Sequence, residues 1–364
     1  MQRFQQVVEN RHEYAQEWQR RTGGKVVGYL CAYVPEEVLY AAGALPVRVL
    51  GEQQLQDLTD SHIFAMFCAY CRDVLGQGLL GKYDYLNGIV LAHVCAHIRQ
   101  TYESWRRHLP TEFGYLLWTP SQVQNRAALP FFLDQTASFR RATEEWLGRP
   151  ITETALREAS DVYNRNRGLL RRLYAARKER PPRLSGRSAM EVVIASTIMD
   201  KVEHSSMLEA LLAEPGSPQQ GIRLMVVGSE NNDTELVGFL ESLGAVVVIE
   251  DNCLGNRYFW NDTAGDGDPL AAIARRYLDK LPCPLLDVDS RRRGQYLLDL
   301  AREYDVQGVI FLRQKFCDPH GWEQPIMEKL FEDAGLPCLC LELDLTVPAG
   351  QYRTRMQAFL ELFA

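Results

Sequence analysis

With 364 residues, 46% of them hydrophobic and 24% charged, the chain has the make-up of an ordinary globular protein of two or three domains. A formal net charge of −7 argues against a nucleic-acid footprint, which needs a concentrated basic face, and no apolar run is long enough to span a bilayer. The polar opening MQRFQQVVENRHEYAQEWQRR lacks the apolar centre of a secretory leader, so the cytoplasm is the expected location.

In chain order, three stretches separate. In residues 1–125, Val34–Ala42 is predicted helical, opened by Pro35 with Glu36 and Glu37 in its first turn and closed by Gly43. ALPVRVL (Ala44–Leu50), GIVLAHV (Gly88–Val94) and FGYLLW (Phe113–Trp118) read as strands, with a helix near Cys71–Leu80. Residues 126–218 repeat apolar positions at steps of three and four, the pattern of a helical connecting region, and PGSPQQG ends it as a boundary. Residues 219–364 alternate again: strands IRLMVVG, AVVVIED, GVIFLR and CLCLEL, with helices between them. Such alternation predicts an α/β architecture, two parallel-sheet lobes covered by helices on both faces.

Nine cysteines require explanation: Cys31, Cys68, Cys71, Cys95, Cys253, Cys283, Cys317, Cys338 and Cys340. In a long chain assigned to the cytoplasm, metal ligation or redox chemistry outweighs a disulfide framework. Ligands of an open parallel sheet bind beyond the carboxyl ends of its strands, which is where Cys95 and Cys317 fall, one per lobe. Cys68 precedes a helix, where backbone N–H groups favour a thiolate; Cys71 falls inside it. Cys31 is either a fourth member of this set or a residue of the strand feeding the Pro35 turn. Cys253, near Gly255 and Arg257, reads as part of a substrate loop; Cys283 has no assignment, and Cys338 and Cys340 alternate within a strand as core residues do. Glu36 and Glu37 are candidate general bases, or simply dipole-favoured residues of a helix start. His93, His97 and His204 have structural alternatives. No GxxxxGK[ST] or GxGxxG spacing occurs. The basic clusters at Arg140–Arg141, Arg171–Arg172 and Arg291–Arg293 read as solvated faces or as docking points for a phosphorylated ligand.

GYLCAYVPEEVLYAAGALPVRVLG, FCAYCRDVLGQGLLGKYDYLNGIVLAHVCAHIRQTYESW, EDNCLGNRYF, FLRQKFCDP, LCLELDLT and TRMQAFLELF, in this order, resemble the 2-hydroxyacyl-CoA dehydratase and benzoyl-CoA reductase family over nearly the whole chain. The resemblance implies two flavodoxin-like lobes and a 4Fe-4S cluster on Cys68, Cys95 and Cys317, with Cys31 near the fourth iron. An enzyme reading expects Tyr33 and Arg257 as binding residues and Glu36, Glu37 and His97 as catalytic candidates, around an open iron. The resemblance further implies a homologous cluster-bearing partner and a separate ATP-hydrolysing activator that feeds electrons. MEVVIASTIMDKVEHSSMLEALLAE and NDTAGDGDPLAAIARRYLDKLPCP are similar to the smaller cluster-bearing subunit of ATP-dependent benzoyl-CoA reductase, so dearomatising reduction to a cyclic dienoyl-CoA is the expected reaction. Dehydration of a 2-hydroxyacyl-CoA through a ketyl radical is the alternative, and a non-catalytic electron-carrying or scaffold subunit the third. Where many members have Cys-Asp after the second strand, this chain has Cys95-Ala96, which leaves that place to His97.

Overall fold

The computed structural model describes residues 1–54, 57–281, 283–287, 289–344 and 349–363. The N-terminal part comprises α1 (Gln2–Glu9), α2 (Arg11–Thr22), β1 (Val26–Leu30), α3 (Glu36–Ala41), β2 (Leu45–Arg48), α4 (Ala69–Leu79), β3 (Gly88–His93), α5 (Ala96–His108) and β4 (Phe113–Trp118). Helices α6 (Ala128–Leu147), α7 (Glu153–Ala175), α8 (Gly186–Ser196) and α9 (Lys201–Ala213) follow. The C-terminal part runs β5 (Ile222–Gly228), α10 (Thr234–Ser242), β6 (Ala245–Asp251), α11 (Asn256–Phe259), α12 (Pro269–Leu278), α13 (Ser290–Glu303), β7 (Gly308–Gln314), α14 (Asp318–Asp333), β8 (Cys338–Leu343) and α15 (Ala349–Leu360).

Both sheets have four parallel strands and the same connectivity, β2-β1-β3-β4 in one and β6-β5-β7-β8 in the other. Strands VVGYL, GIVLAH, IRLMVVG and AVVVIED are buried almost throughout. Their β-branched, near-continuous apolar runs suit strands covered on both faces. Strand β1 is the strand that feeds the Pro35 turn, with Cys31 just past its end; its glycine, Gly28, is needed because a Cβ there would press on Leu86, Val49 and Ile89. The helix expected from Val34 starts later, at Glu36, because Pro35 serves as its cap. The segment LCLELDLT extends past Asp344, beyond the described residues.

One core cluster takes residues from both sheets, Leu30 and Leu91 from one and Val226, Leu312 and Leu341 from the other, so the two sheets share packed surface. A buried ion pair also joins them: Arg48 at the end of β2 meets Glu230 just after β5 at 2.9 Å. Among the described residues, no helix is long and apolar enough to cross a membrane.

Candidate functional site

The two repeated strand orders each reverse direction at one place, between β1 and β3 and between β5 and β7. Open parallel sheets bind their ligands at such switch points, beyond the carboxyl strand ends. The loops that leave these strands meet at a cavity with about 850 Å³ of space between atoms, part of it open to solvent. Seven of the nine cysteines line it: Cys31, Cys68, Cys71, Cys95, Cys253, Cys283 and Cys317. Cys31 follows β1, Cys95 follows β3, Cys253 follows β6 and Cys317 follows β7, so one rule of topology delivers four of them.

Helix starts deliver three. Cys68 caps α4, Cys95 caps α5 and Cys317 caps α14, so three positive helix ends point toward the thiols. The Cys95 Sγ accepts from the Ile98 N–H at 3.5 Å. Two of the turns carry backbone strain: Cys31 has φ +78° and Phe316, directly before Cys317, has φ +64°. Non-glycine residues hold such angles only when their surroundings compel it, and they concentrate at functional sites.

The thiols differ in their readiness to ionise. A hydrogen bond with Cys71 holds the Cys68 thiol below its ordinary value, against the cost of burial and with help from His97; Cys71 is raised in return. Burial pushes Cys31, Cys95 and Cys253 up to about 12 and Cys317 higher still. These thiols therefore stay protonated until a positive charge arrives, which is how a metal centre releases protons as it binds. Cationic groups stand ready: Arg48, Arg257 and Lys280 all line the cavity and are buried. The Lys280 Nζ donates to the Ala32 carbonyl at 3.1 Å and lies 4.5 Å from the centre of the Tyr33 ring; burial pushes its ammonium down to about 7.

Among the described residues, no three His, Cys, Asp or Glu side chains converge closely enough to hold a single metal ion. Seven thiols border one space, and Cys68 and Cys71 among them are hydrogen-bonded to each other. Ligands to the separate corners of a polymetallic cluster must be spread in that way, whereas a single zinc ion needs convergence. A set of thiols bordering one space is the kind of donor set that an iron–sulfur cluster requires.

Of the residues singled out in the sequence, Tyr33, Arg257, Cys31, Cys68, Cys95 and Cys317 are brought together at this cavity. His97 stands at its edge, where its Nδ1 accepts from the Cys68 N–H at 3.3 Å and its ring stacks on Phe67. Glu36 and Glu37 do not line it. They are buried in a polar cluster where the Tyr258 hydroxyl donates to Glu36 at 3.2 Å, Lys201 lies 3.7 Å from Glu36, Tyr277 donates to Glu37 at 2.8 Å and Arg167 pairs with Glu37. That cluster joins α3 to α7, α9 and α12, and its geometry is that of a latch. Arg293, counted among the basic faces, is in fact buried against Asp251 and Glu323. Cys71, Cys283, Lys280 and Arg48 line the cavity as well, and the sequence singles out none of them as a site residue. Cys253, read as part of a substrate loop, follows a strand as Cys95 does and lines the same cavity.

Together these features define a class: a two-lobed α/β protein that gathers thiols from both lobes on one cavity. The chain belongs to the family described as 2-hydroxyglutaryl-CoA dehydratase, D-component, which matches residues 31–363. It is 27% identical over 363 residues to the (R)-phenyllactyl-CoA dehydratase beta subunit of Clostridium sporogenes, covering 98% of this chain and 97% of that one. It is 26% identical to the beta subunit of lactoyl-CoA dehydratase of Anaerotignum propionicum, over 98% of this chain and 96% of that one. It is also 26% identical to a benzoyl-CoA reductase subunit of Thauera aromatica, over 83% of this chain and 81% of that one.

Proposed function

We propose that this chain is the iron–sulfur subunit of a multi-subunit enzyme acting on an acyl-CoA thioester, with a 4Fe-4S cluster on Cys68, Cys95 and Cys317. The observation that carries the reading is the meeting of these three helix-capping cysteines, from both lobes, at one cavity. Cys31 and Cys71 also border that space and compete for the fourth position.

Dehydration of a 2-hydroxyacyl-CoA is preferred over dearomatising reduction. The two dehydratase subunits match 98% of this chain, the reductase subunit 83%. A bound cluster would supply single electrons at low potential to the thioester. The chain's own groups would do the rest: Arg257 and Lys280 offer positive charge to an anionic ligand, Tyr33 offers a hydroxyl, and His97 sits where a proton could enter from the rim. A second reading, an electron-carrying subunit that binds no substrate, is favoured by the surplus of thiols over the four that one cluster can use.

A homologous partner and an activator belong to this proposal. Phe64, Met66, Phe316 and Trp322 are exposed and lie near Cys68 and Cys317 in sequence, apolar surface suited to a protein contact.

The test is anaerobic purification, iron and acid-labile sulfide analysis, then assay with an activator, reductant and either a 2-hydroxyacyl-CoA or benzoyl-CoA. Bound iron with loss of water from the hydroxyacyl thioester is expected. Bound iron with consumption of benzoyl-CoA would move the chain to the reductases, and bound iron with neither substrate consumed would favour the electron carrier. A protein that never takes up iron would end the proposal.

A further inference from the structure

Cys31 begins a strained turn between β1 and α3. Its φ of +78° is one that a non-glycine residue keeps only where its surroundings over-determine it. Within the turn, the Val34 N–H reaches the Cys31 carbonyl at 3.3 Å.

Further restraint comes from the other half of the chain. Helix α12 shares a core cluster with Val34, Leu39 and Val90 of the N-terminal part. Tyr277, in its last turn, accepts from the Glu36 N–H at 3.1 Å and donates to the Glu37 carboxylate at 2.8 Å. Lys280, two residues past the helix, donates to the Ala32 carbonyl at 3.1 Å, and its Nζ lies 4.5 Å from the centre of the Tyr33 ring. Two side chains three residues apart thus bracket the turn, one at Ala32 and the other at Glu36. Both are buried, Tyr277 at 1% exposure and Lys280 at 4%, where a hydrogen bond is stronger than in water. Cys31, Ala32, Tyr33 and Lys280 line the thiol cavity, and Tyr277 reaches the turn from the core cluster.

We infer that Tyr277 and Lys280 are positioning residues: together they clasp the turn from Ala32 to Glu36 and fix Cys31 with its thiol at the cavity. What Cys31 then does rests on the cluster reading above: held in this way, it takes the fourth position ahead of Cys71. The clasp itself is made by protein groups alone.

The experiment uses Tyr277→Phe, which removes one hydroxyl and no charge, and Lys280→Met, each also made in a Cys31→Ala background, with circular dichroism to verify folding. In iron-free protein kept anaerobic, the rate at which iodoacetamide alkylates Cys31 is read by peptide mass spectrometry against Cys338 on β8. Modification of Cys31 about three- to tenfold faster in both variants, with Cys338 unchanged, is expected from losing buried hydrogen bonds that keep the turn closed. In iron-loaded protein, the electron paramagnetic resonance spectrum of the reduced cluster should change in both variants, and neither should change it further once Cys31 is alanine. Unaltered Cys31 rates in both folded variants would overturn the clasp. A faster rate in Lys280→Met alone would overturn it too, because loss of a nearby charge accounts for that result. Faster alkylation with an unaltered spectrum would remove Cys31 from the cluster. Wild type that takes up no iron would end the cluster reading, while the alkylation rates would still decide the clasp.

Discussion

Cys95 and Cys317 occupy equivalent positions in the two lobes. Each follows the third strand of a sheet with the same connectivity, and each caps the helix that comes next. If both hold one cluster, the lobes are clamped by it. Changing either to serine should remove most of the bound iron, and the double variant should lose no more than the worse single one. Iron analysis of the three proteins checks this non-additivity.

The Arg48–Glu230 pair joins the lobes with both side chains under 10% exposed. Arg48→Met would leave Glu230 buried without its partner and should cost about 3–5 kcal/mol. Adding Glu230→Gln should return a large part of that loss, since it removes the stranded charge. Urea unfolding of the three proteins measures both steps.

Buried histidines, His12 and His204 among them, set an acid limit on the fold. Burial holds His12 and His204 down to about 3, with Arg11 and Lys82 adding to the effect at His12 and Lys201 at His204. Below about pH 6.5 the unfolded chain binds protons that the folded one refuses, so stability should fall as pH drops from there toward 3. The slope should approach about 1.4 kcal/mol per pH unit for each histidine and vanish above pH 7. Denaturation midpoints between pH 8 and 5 test this, and His12→Gln should reduce the slope.

Gly228 ends β5 where β7 passes closest, and a Cβ there would collide with the Leu312 carbonyl oxygen. Gly228→Ala should destabilise by about 1–3 kcal/mol and disturb the neighbouring Ser229–Glu230 turn at the cavity. Gly265, which has open space around it, serves as the comparison, with a change within about 0.5 kcal/mol. Thermal melts of both variants decide.

Trp322 is 85% exposed on α14, the helix that Cys317 caps. Trp322→Ser should leave the isolated chain's stability within about 0.5 kcal/mol while weakening its association with a partner subunit. Sedimentation of the reconstituted complex distinguishes a binding defect from a folding one.

Much of this was legible in the chain. Local composition determines β-branched runs such as AVVVIED as buried strands, and strand–helix alternation makes the sheets parallel; strand-end position then singled out Cys95 and Cys317. The bounds of strand β1 were not legible because VVGYL is short and holds a glycine whose purpose, close packing against Leu86 and Val49, exists only in the folded state. The choice for Glu36 and Glu37, general bases or dipole-favoured residues of a helix start, stays open in the sequence because a helix start looks alike whether it meets solvent or other elements. Their actual partners, Arg167, Lys201, Tyr258 and Tyr277, lie more than a hundred residues away in sequence.

By itself, then, the sequence determined which segments become strands and helices and which cysteines sit at their ends, because those depend on neighbours a few residues apart. Tertiary structure alone decided that Cys31, Cys253 and Cys283 share a cavity with Cys68, Cys95 and Cys317, and that Arg48, Arg257 and Lys280 face them. Those meetings arise from two sheets sharing packed surface, a long-range relation that no local pattern encodes.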